Sequence, residues 1–292
     1  MTLDQLRVFL AVAERQHVTR AAQALGLGQP AVSAAIAALE ASHGVKLFNR
    51  VGRGISLTQA GEAFLGSARL ILAEADAAAL LLGDLGAARR GRLIVQASQT
   101  IASYWLPRHL VEFRRGHAGI EIRLTVGNTA QVAAAVHQGV AELGFVEGAV
   151  NNSALKSAAV ARDRMMVVVG HEHPWVGRPA ITPAQLPHSA WVLREPGSGT
   201  RSAFEDALAG FGMSVRDLQV AMELPSNEAV RAAGEAGLGA TSISASVAAP
   251  SLEAGLLHAV NLRLPERSFH ALWHRERFLS PTAKAFLAQF SF

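Results

Sequence analysis

With 292 residues, half of them apolar, the chain can bury a sizeable core and exceeds the usual size of one domain, so two or more domains are expected. The absence of cysteine excludes disulfides, thiol catalysis and cysteine-ligated zinc. A net charge of +4 permits an anionic partner without demonstrating one, and MTLDQLRVFLAVAERQ, broken by Asp4, Arg7 and Glu14, fits neither a signal peptide nor a membrane span, so a soluble cytoplasmic protein is expected.

Leu3, Leu6, Phe9, Leu10 and Ala13 recur at helical spacing and predict a first amphipathic helix with Asp4, Arg7 and Glu14 outward. Thr19 opens a second, short helix, TRAAQALGL, and GLGQP follows as a tight turn. Pro30 suits the first turn of a third helix, which carries Val32, Ile36 and Leu39 inward and ends at Gly44. Short helices, a glycine turn and small alanines at the points of approach are the pattern of a helix-turn-helix. In VKLFNRVGRGISLTQAG two extended runs flank Gly52 and Gly54, as in a β-hairpin wing. Up to Thr58, six bases (Arg7, Arg15, Arg20, Lys46, Arg50, Arg53) face three acids (Asp4, Glu14, Glu40), leaving +3 of the chain's +4 in its first fifth, the sign that meets phosphates.

The segments LRVFLAVAE, TRAAQALGLGQPAVSAAIAALE, GVKLFNR and LTQAGE resemble, in order and spacing, the winged helix-turn-helix of LysR-type transcriptional regulators. The resemblance implies double-stranded DNA as a partner, with the helix after Gln29 in a major groove. Thr19, Arg20, Gln29, Pro30 and Ser33 would face bases and backbone, and Arg50 and Arg53 would hold phosphates or the minor groove from the wing. Ala34 and Ala35 stand where many members carry arginine and glutamine, so direct base readout should be thin and DNA shape should weigh more.

From Thr58 to Leu85 no proline interrupts the helix formers. Phe64, Ala68, Ile71, Ala75, Ala78, Leu82 and Leu85 alternate four and three apart, a heptad stripe that calls for a partner helix, so a homodimer or homotetramer is expected. Packing of the stripe within one subunit is the alternative. GAARRGR closes the helix. The expected domains are thus a winged helix-turn-helix over 1–58, a linker helix over 59–90 and an effector domain over 91–292.

Beyond Arg92, strands such as RLIVQAS, IEIRLTV and AELGFVEG alternate with helices, which predicts parallel α/β construction. A second such set begins near Asp163, and SFHALWHRER with SPTAKAFLAQF returns to the first. The fold expected is α/β overall, with a helical reader, a long linker helix and two lobes (91–162 with 266–292, and 163–265) around a cleft. That two-lobed form resembles periplasmic solute-binding proteins and the effector domain of the same regulator family.

Ligands in such sheets sit beyond the carboxyl ends of strands, which nominates Ser98, Gln99, Thr100, Asn128, Thr129 and Glu147. REPGSGTR adds Ser198, Gly199, Thr200 and Arg201, a hydroxyl-rich glycine turn at a helix start with Ser198 or Thr200 as cap. It lacks the lysine of a nucleoside-triphosphate loop and the G-x-S-x-G elbow of a hydrolase. Backbone amides, hydroxyls and an inward-turned Arg201 would suit an inorganic oxyanion or a carboxylate, with Glu147 repelling it unless protonated, paired with Arg201 or facing a ligand donor. SAAIAALE, NRVGRG and REPGSGTR look closest to the branch of the family that senses sulfite or related small oxyanions. His171 and His173 in GHEHPW are expected in a polar loop rather than on a metal, His270 and His274 at a strand edge, and the four tryptophans in packing. With no catalytic pair of acids in view, the expectation is a ligand-responsive DNA-binding regulator that is not an enzyme and needs no cofactor or metal. The alternatives are a ligand-independent repressor or architectural protein, and an enzyme carrying a helix-turn-helix.

Overall fold

A computed structural model describes residues 1–51, 54–85, 91–148 and 150–290, without the side chains of residues 51, 77 and 80–85. The chain divides into two compact units, residues 1–88 with 138–140, and residues 89–137 with 141–292. No single helix among the described residues is long and apolar enough to cross a membrane.

In the first unit, α1 (Leu3–Arg15) starts at a capping box in which Thr2 and Gln5 exchange side-chain to backbone hydrogen bonds of 3.2 and 2.9 Å. Helix α2 (Val18–Leu25) begins one residue before Thr19, with His17 as its cap, so Thr19 lies inside the first turn instead of opening it. Gly26 takes φ +66° at the end of α2, and Gly44 takes +63° at the end of α3 (Gln29–His43), where a side chain would be strained. Strands β1 (Phe48–Val51) and β2 (Gly54–Leu57) pair antiparallel as the wing, and α4 (Gln59–Leu85) follows, 27 residues and about 40 Å long at 1.5 Å per residue. Phe9 joins these parts, its ring 5.4 Å from Phe48 and 5.1 Å from Phe64.

The wing is tied to α3 by one buried carboxylate. Glu40 accepts backbone hydrogen bonds from Leu47 (2.9 Å) and Phe48 (3.2 Å) and an ion-paired one from Lys46 (2.6 Å). Burial pushes its pKa up, but Lys46 and the two amides outweigh burial and hold it below the ordinary 4.5. Stability from this group is full above that value and lost as pH falls through the lowered one. Glu40→Ala, which leaves two buried N–H groups without a partner, is expected to cost about 1–3 kcal/mol. Faster hydrogen exchange at the Leu47 and Phe48 amides would register the loss, and the variant should lack the wild type's acid dependence there.

Among the described residues, the second unit contains a seven-stranded sheet, a separate two-stranded one and four clusters of buried apolar side chains. Strands β3 (Arg92–Ser98), β4 (Glu121–Gly127) and β5 (Leu143–Glu147) are parallel, with β3 between β4 and β5. Strand β6 (Leu155–Gly170) is 16 residues long and serves both lobes. Its first half pairs antiparallel with β11 (Glu266–His274), which also pairs with β5. Strand β11 is therefore central at His270, which is paired on both sides and not at a sheet edge, while His274, the last residue of β11, pairs with Leu155 of β6. The π-helical turn Ile101–Trp105, α5 (Leu106–Gly116), α6 (Thr129–His137) and α10 (Pro281–Leu287) complete this lobe. Phe113, Phe145 and Phe286 are fully buried within it.

The second half of β6 pairs with β9 (Thr241–Ser244) and β10 (Leu257–Ala259). Strand β7 (Ala190–Arg194) pairs parallel with β8 (Gln219–Leu224) and bridges from Trp191 to Ala240. Helices α7 (Gly199–Gly210), α8 (Asn227–Glu235) and α9 (Ala245–Glu253) cover this lobe. Its core holds Trp175, Trp191 and Phe204, and with Trp105 buried in the first lobe the tryptophans serve packing as expected.

Candidate functional site

In the first unit, α3 buries Val32, Ile36 and Leu39 and presents Gln29, Pro30, Ser33, Ala34 and Ala37 to solvent. Thr19 and Arg20 on α2 and Arg50 on β1 are exposed too, and neither arginine has an ion-pair partner among the described residues. Cations left free in this way suit phosphates. Arg53 lies outside the described residues.

The heptad stripe on α4 divides into parts. Ala68 is fully buried in the chain's own core, so the dimer role expected of it is corrected; Phe64 packs on Phe9 of α1 and is half-buried. Ile71, 37% exposed, and Ala78 are open to solvent, with Ala75 half-buried between them. The side chains of Leu82 and Leu85 lie outside those described.

In the second unit the two lobes meet along a polar seam. From the first lobe come Ser98, Gln99 and Thr100 at the end of β3, Asn128 and Thr129 at the start of α6, and Glu147 at the end of β5. From the second come Arg194, Glu195 and the turn into α7, whose cap is Ser198 without a side-chain cap bond. The carboxyl ends of three parallel strands thus point at one helix N-terminus, the place where backbone dipoles favour a ligand.

Of the two arginines of REPGSGTR, Arg194 and not the expected Arg201 lies in the seam. Arg201 does not turn into the cleft: its Nε donates to Glu205 (2.8 Å), and its Nη1 donates to the Arg194 carbonyl (3.0 Å) and to Glu223 on β8. With its Nε and Nη1 donors held by carboxylates, it neither pairs with Glu147 nor stands ready for an anion. Arg194 is the one in the seam, buried, with a two-pronged bond to Glu195 (2.8 and 3.0 Å) and a 2.6 Å bond to Asn227 Oδ1. Asn227 then crosses between lobes, donating from Nδ2 to Thr100 (2.9 Å) and from its amide to Gln99 (2.7 Å). Gln99 donates to Glu228 (2.6 Å), and Asn128 donates to Glu195 (3.2 Å). The sole tyrosine, Tyr104, adds its hydroxyl beside Glu228 and Arg231; burial and Glu228 raise its pKa against the pull of Arg231.

A second cluster holds the other side of the seam. Arg267 on β11 faces Asp163 on β6 across the pairing, and its Nε and Nη2 stand 2.8 and 2.7 Å from Asp163 Oδ2. Asp163 Oδ1 accepts from Ser244 (2.7 Å) of the second lobe. Arg267 Nη1 donates to Thr200 (3.2 Å), while Nη2 lies 4.0 Å from Glu147, whose other oxygen accepts from Thr129 (3.3 Å). Arg267 is only 7% exposed and Ser98 2%, and the Ser98 hydroxyl has no hydrogen-bond partner among the described residues. The seam is also tight. A Cβ on Gly199 would stand 2.5 Å from Thr129 Oγ1 and 2.9 Å from the Glu147 backbone oxygen.

Sequence reasoning therefore missed Arg194, Asn227, Asp163, Ser244 and Arg267. One signal was available: Arg267 shares the inward phase of β11 with Phe269 and Ala271, and a charge in that phase needs a buried partner. His173, expected in a polar loop, bonds Ser189 (2.9 Å), and no cluster of metal-ligating side chains occurs among the described residues.

The family model for bacterial regulatory helix-turn-helix proteins of the lysR family matches residues 3–62, and that for the LysR substrate binding domain matches residues 86–291. An uncharacterized HTH-type transcriptional regulator of Mycobacterium bovis is 39% identical over 283 residues, 93% of this chain and 90% of its own. Full-length CbnR, solved with its target DNA, superposes with a TM-score of 0.72 at 23% identity, over 99% of each chain. The Synechocystis CcmR regulatory domain, solved with 2-PG, does so with a TM-score of 0.62 at 26% identity, over 68% of this chain and 95% of its own.

Proposed function

The chain belongs to the LysR family of DNA-binding transcriptional regulators, with an effector-binding domain behind its helix-turn-helix, and from that premise we propose that its effector is a small anion held in the seam between the lobes. DNA, a small effector and further copies of itself are the partners of such a regulator. Two buried donors along the seam carry the anionic class: the Arg267 guanidinium, and the Ser98 hydroxyl, which has no hydrogen-bond partner among the described residues. A buried donor without an acceptor costs free energy that an incoming acceptor recovers. The 4.0 Å approach of Glu147 to Arg267 is the loosest link of its cluster, and an oxyanion on Arg267 replaces it. Thr200 and Thr129 supply hydroxyls on Arg267 and Glu147, and Ser98 and Thr100 supply two more at the end of β3. The 2-PG found with CcmR is in keeping with a ligand of this size.

In this reading the protein acts in the cytoplasm, catalyses no reaction, and responds because the anion binds one arrangement of the lobes more tightly than another. The domains are the reader over 1–58, the helix over 59–90 and the effector domain from 91 onward. Thermal unfolding of the purified protein against sulfite, sulfate, thiosulfate, phosphate, nitrate and short carboxylates tests it. One anion at a hundredfold excess over its Kd should stabilise by about 2.7 kcal/mol, a rise in Tm of roughly 5–10 °C. The rise should shrink in Ser98→Ala and persist in Arg201→Ala, whose guanidinium is engaged elsewhere. A flat response across the panel, or a response lost in Arg201→Ala and kept in Ser98→Ala, refutes the assignment.

A further inference from the structure

Strands β10 and β11 run along one edge of β6 as two parts of an interrupted strand. Between the pairs Ala259↔Val168 and Glu266↔Arg164 the chain advances seven residues against four on β6, so three residues loop out. The last bond before the loop is Val260 N–H to the Val167 carbonyl (2.9 Å), and no backbone hydrogen bond joins residues 261–265 to β6. Under the loop lies a cavity of about 690 Å³.

This cavity is built, and it is distinct from the seam. Its apolar lining is half-buried Met166 together with the edges of Met165, Val260 and Leu264, whose side chains are otherwise buried in the lobe's own core. The loop over it is pinned from outside, since the Asn261 carbonyl accepts from Ile181 N–H (3.1 Å) and the Asn261 amide donates to the Pro179 carbonyl. On the rim stand Arg164 and Arg263, both exposed and neither bonded to a carboxylate among the described residues. The rim's acid, Glu266, is engaged 3.5 Å from Arg162. An apolar floor under two unneutralised guanidiniums, within the size range of small-molecule pockets, selects a ligand with an apolar body and an anionic head.

We propose that this cavity is a second binding site, for an amphipathic organic anion such as a medium-chain or aromatic carboxylate. It lies where β6 and the β10–β11 segment cross between lobes, so its occupant touches both crossing strands. The five methionines provide the readout, because only Met165 and Met166 line the cavity. Full-length protein labelled with carbon-13 at the methionine methyls is titrated with octanoate, its signals assigned through Met165→Leu and Met166→Leu. At least one of these two signals should shift and saturate while those of Met213 and Met222 stay in place. Neutral octanamide should need at least tenfold more, and Arg164→Ala with Arg263→Ala, both on the surface, should raise the octanoate Kd at least tenfold. No saturable shift at either methionine overturns the site. Equal response to the amide, or indifference to loss of both arginines, overturns its anionic class. A shift that follows protein concentration alone shows a second copy of the chain covering the cavity and overturns the proposal.

Discussion

Arg267→Ala is expected to destabilise the effector domain by about 3–5 kcal/mol, the range for breaking a buried ion pair from one side. The reason is what remains. Asp163 is itself buried, and without Arg267 its only side-chain partner among the described residues is the Ser244 hydroxyl. Glu147 loses its sole cation within 4.0 Å among the described residues at the same time. Arg267→Lys should recover only part of the loss, because one ammonium cannot reproduce a fork that reaches Asp163 and Thr200 together. Replacing both members, Asp163→Leu with Arg267→Met, should cost less than Arg267→Ala alone, since the isolated buried charge is then gone. Urea titration of the four proteins measures this, and a loss under about 1 kcal/mol in Arg267→Ala would mean that water reaches Asp163 freely.

The second large effect concerns DNA. Arg20→Ala with Arg50→Ala is expected to weaken binding to every sequence alike. In a dimer the pair of substitutions removes four positive charges, and if each neutralises one phosphate the slope of log K against log salt falls by about 3 to 4. Both side chains are exposed and free of ion pairs among the described residues, so stability should be nearly unchanged. Binding isotherms on specific and random duplexes at several salt concentrations check the claim. A loss confined to the specific duplex would make these residues base readers instead.

The reader was legible because its signals are local. Helix α3 begins at Gly28 and Pro30 and ends at Gly44, and each signal acts on its own turn. The wing follows the same logic, two short runs about Gly52 and Gly54. The heptad stripe was less informative, because periodicity shows which face of α4 is apolar and not whose surface covers it. Phe64 and Ala68 therefore look like Ile71 in sequence, yet only the first two meet α1. At the seam the misassignment of Arg201 was half avoidable, since Glu205 stands four residues on, at the spacing of a helical ion pair. Its other partner, Glu223, comes from β8, the parallel neighbour of β7, and Asp163 meets Arg267 across the antiparallel pair β6–β11, 104 residues apart in sequence. Pairing across strands is set by topology, which one-dimensional spacing does not carry.

The closeness of Gly199 to Thr129 and Glu147 has a genetic consequence. Any single-base change that turns this codon into one for a larger amino acid inserts a wedge at the point where the lobes touch. Most of those alleles should uncouple the response from its signal without altering the DNA-reading surface, which makes this position a natural source of signal-blind variants in a population.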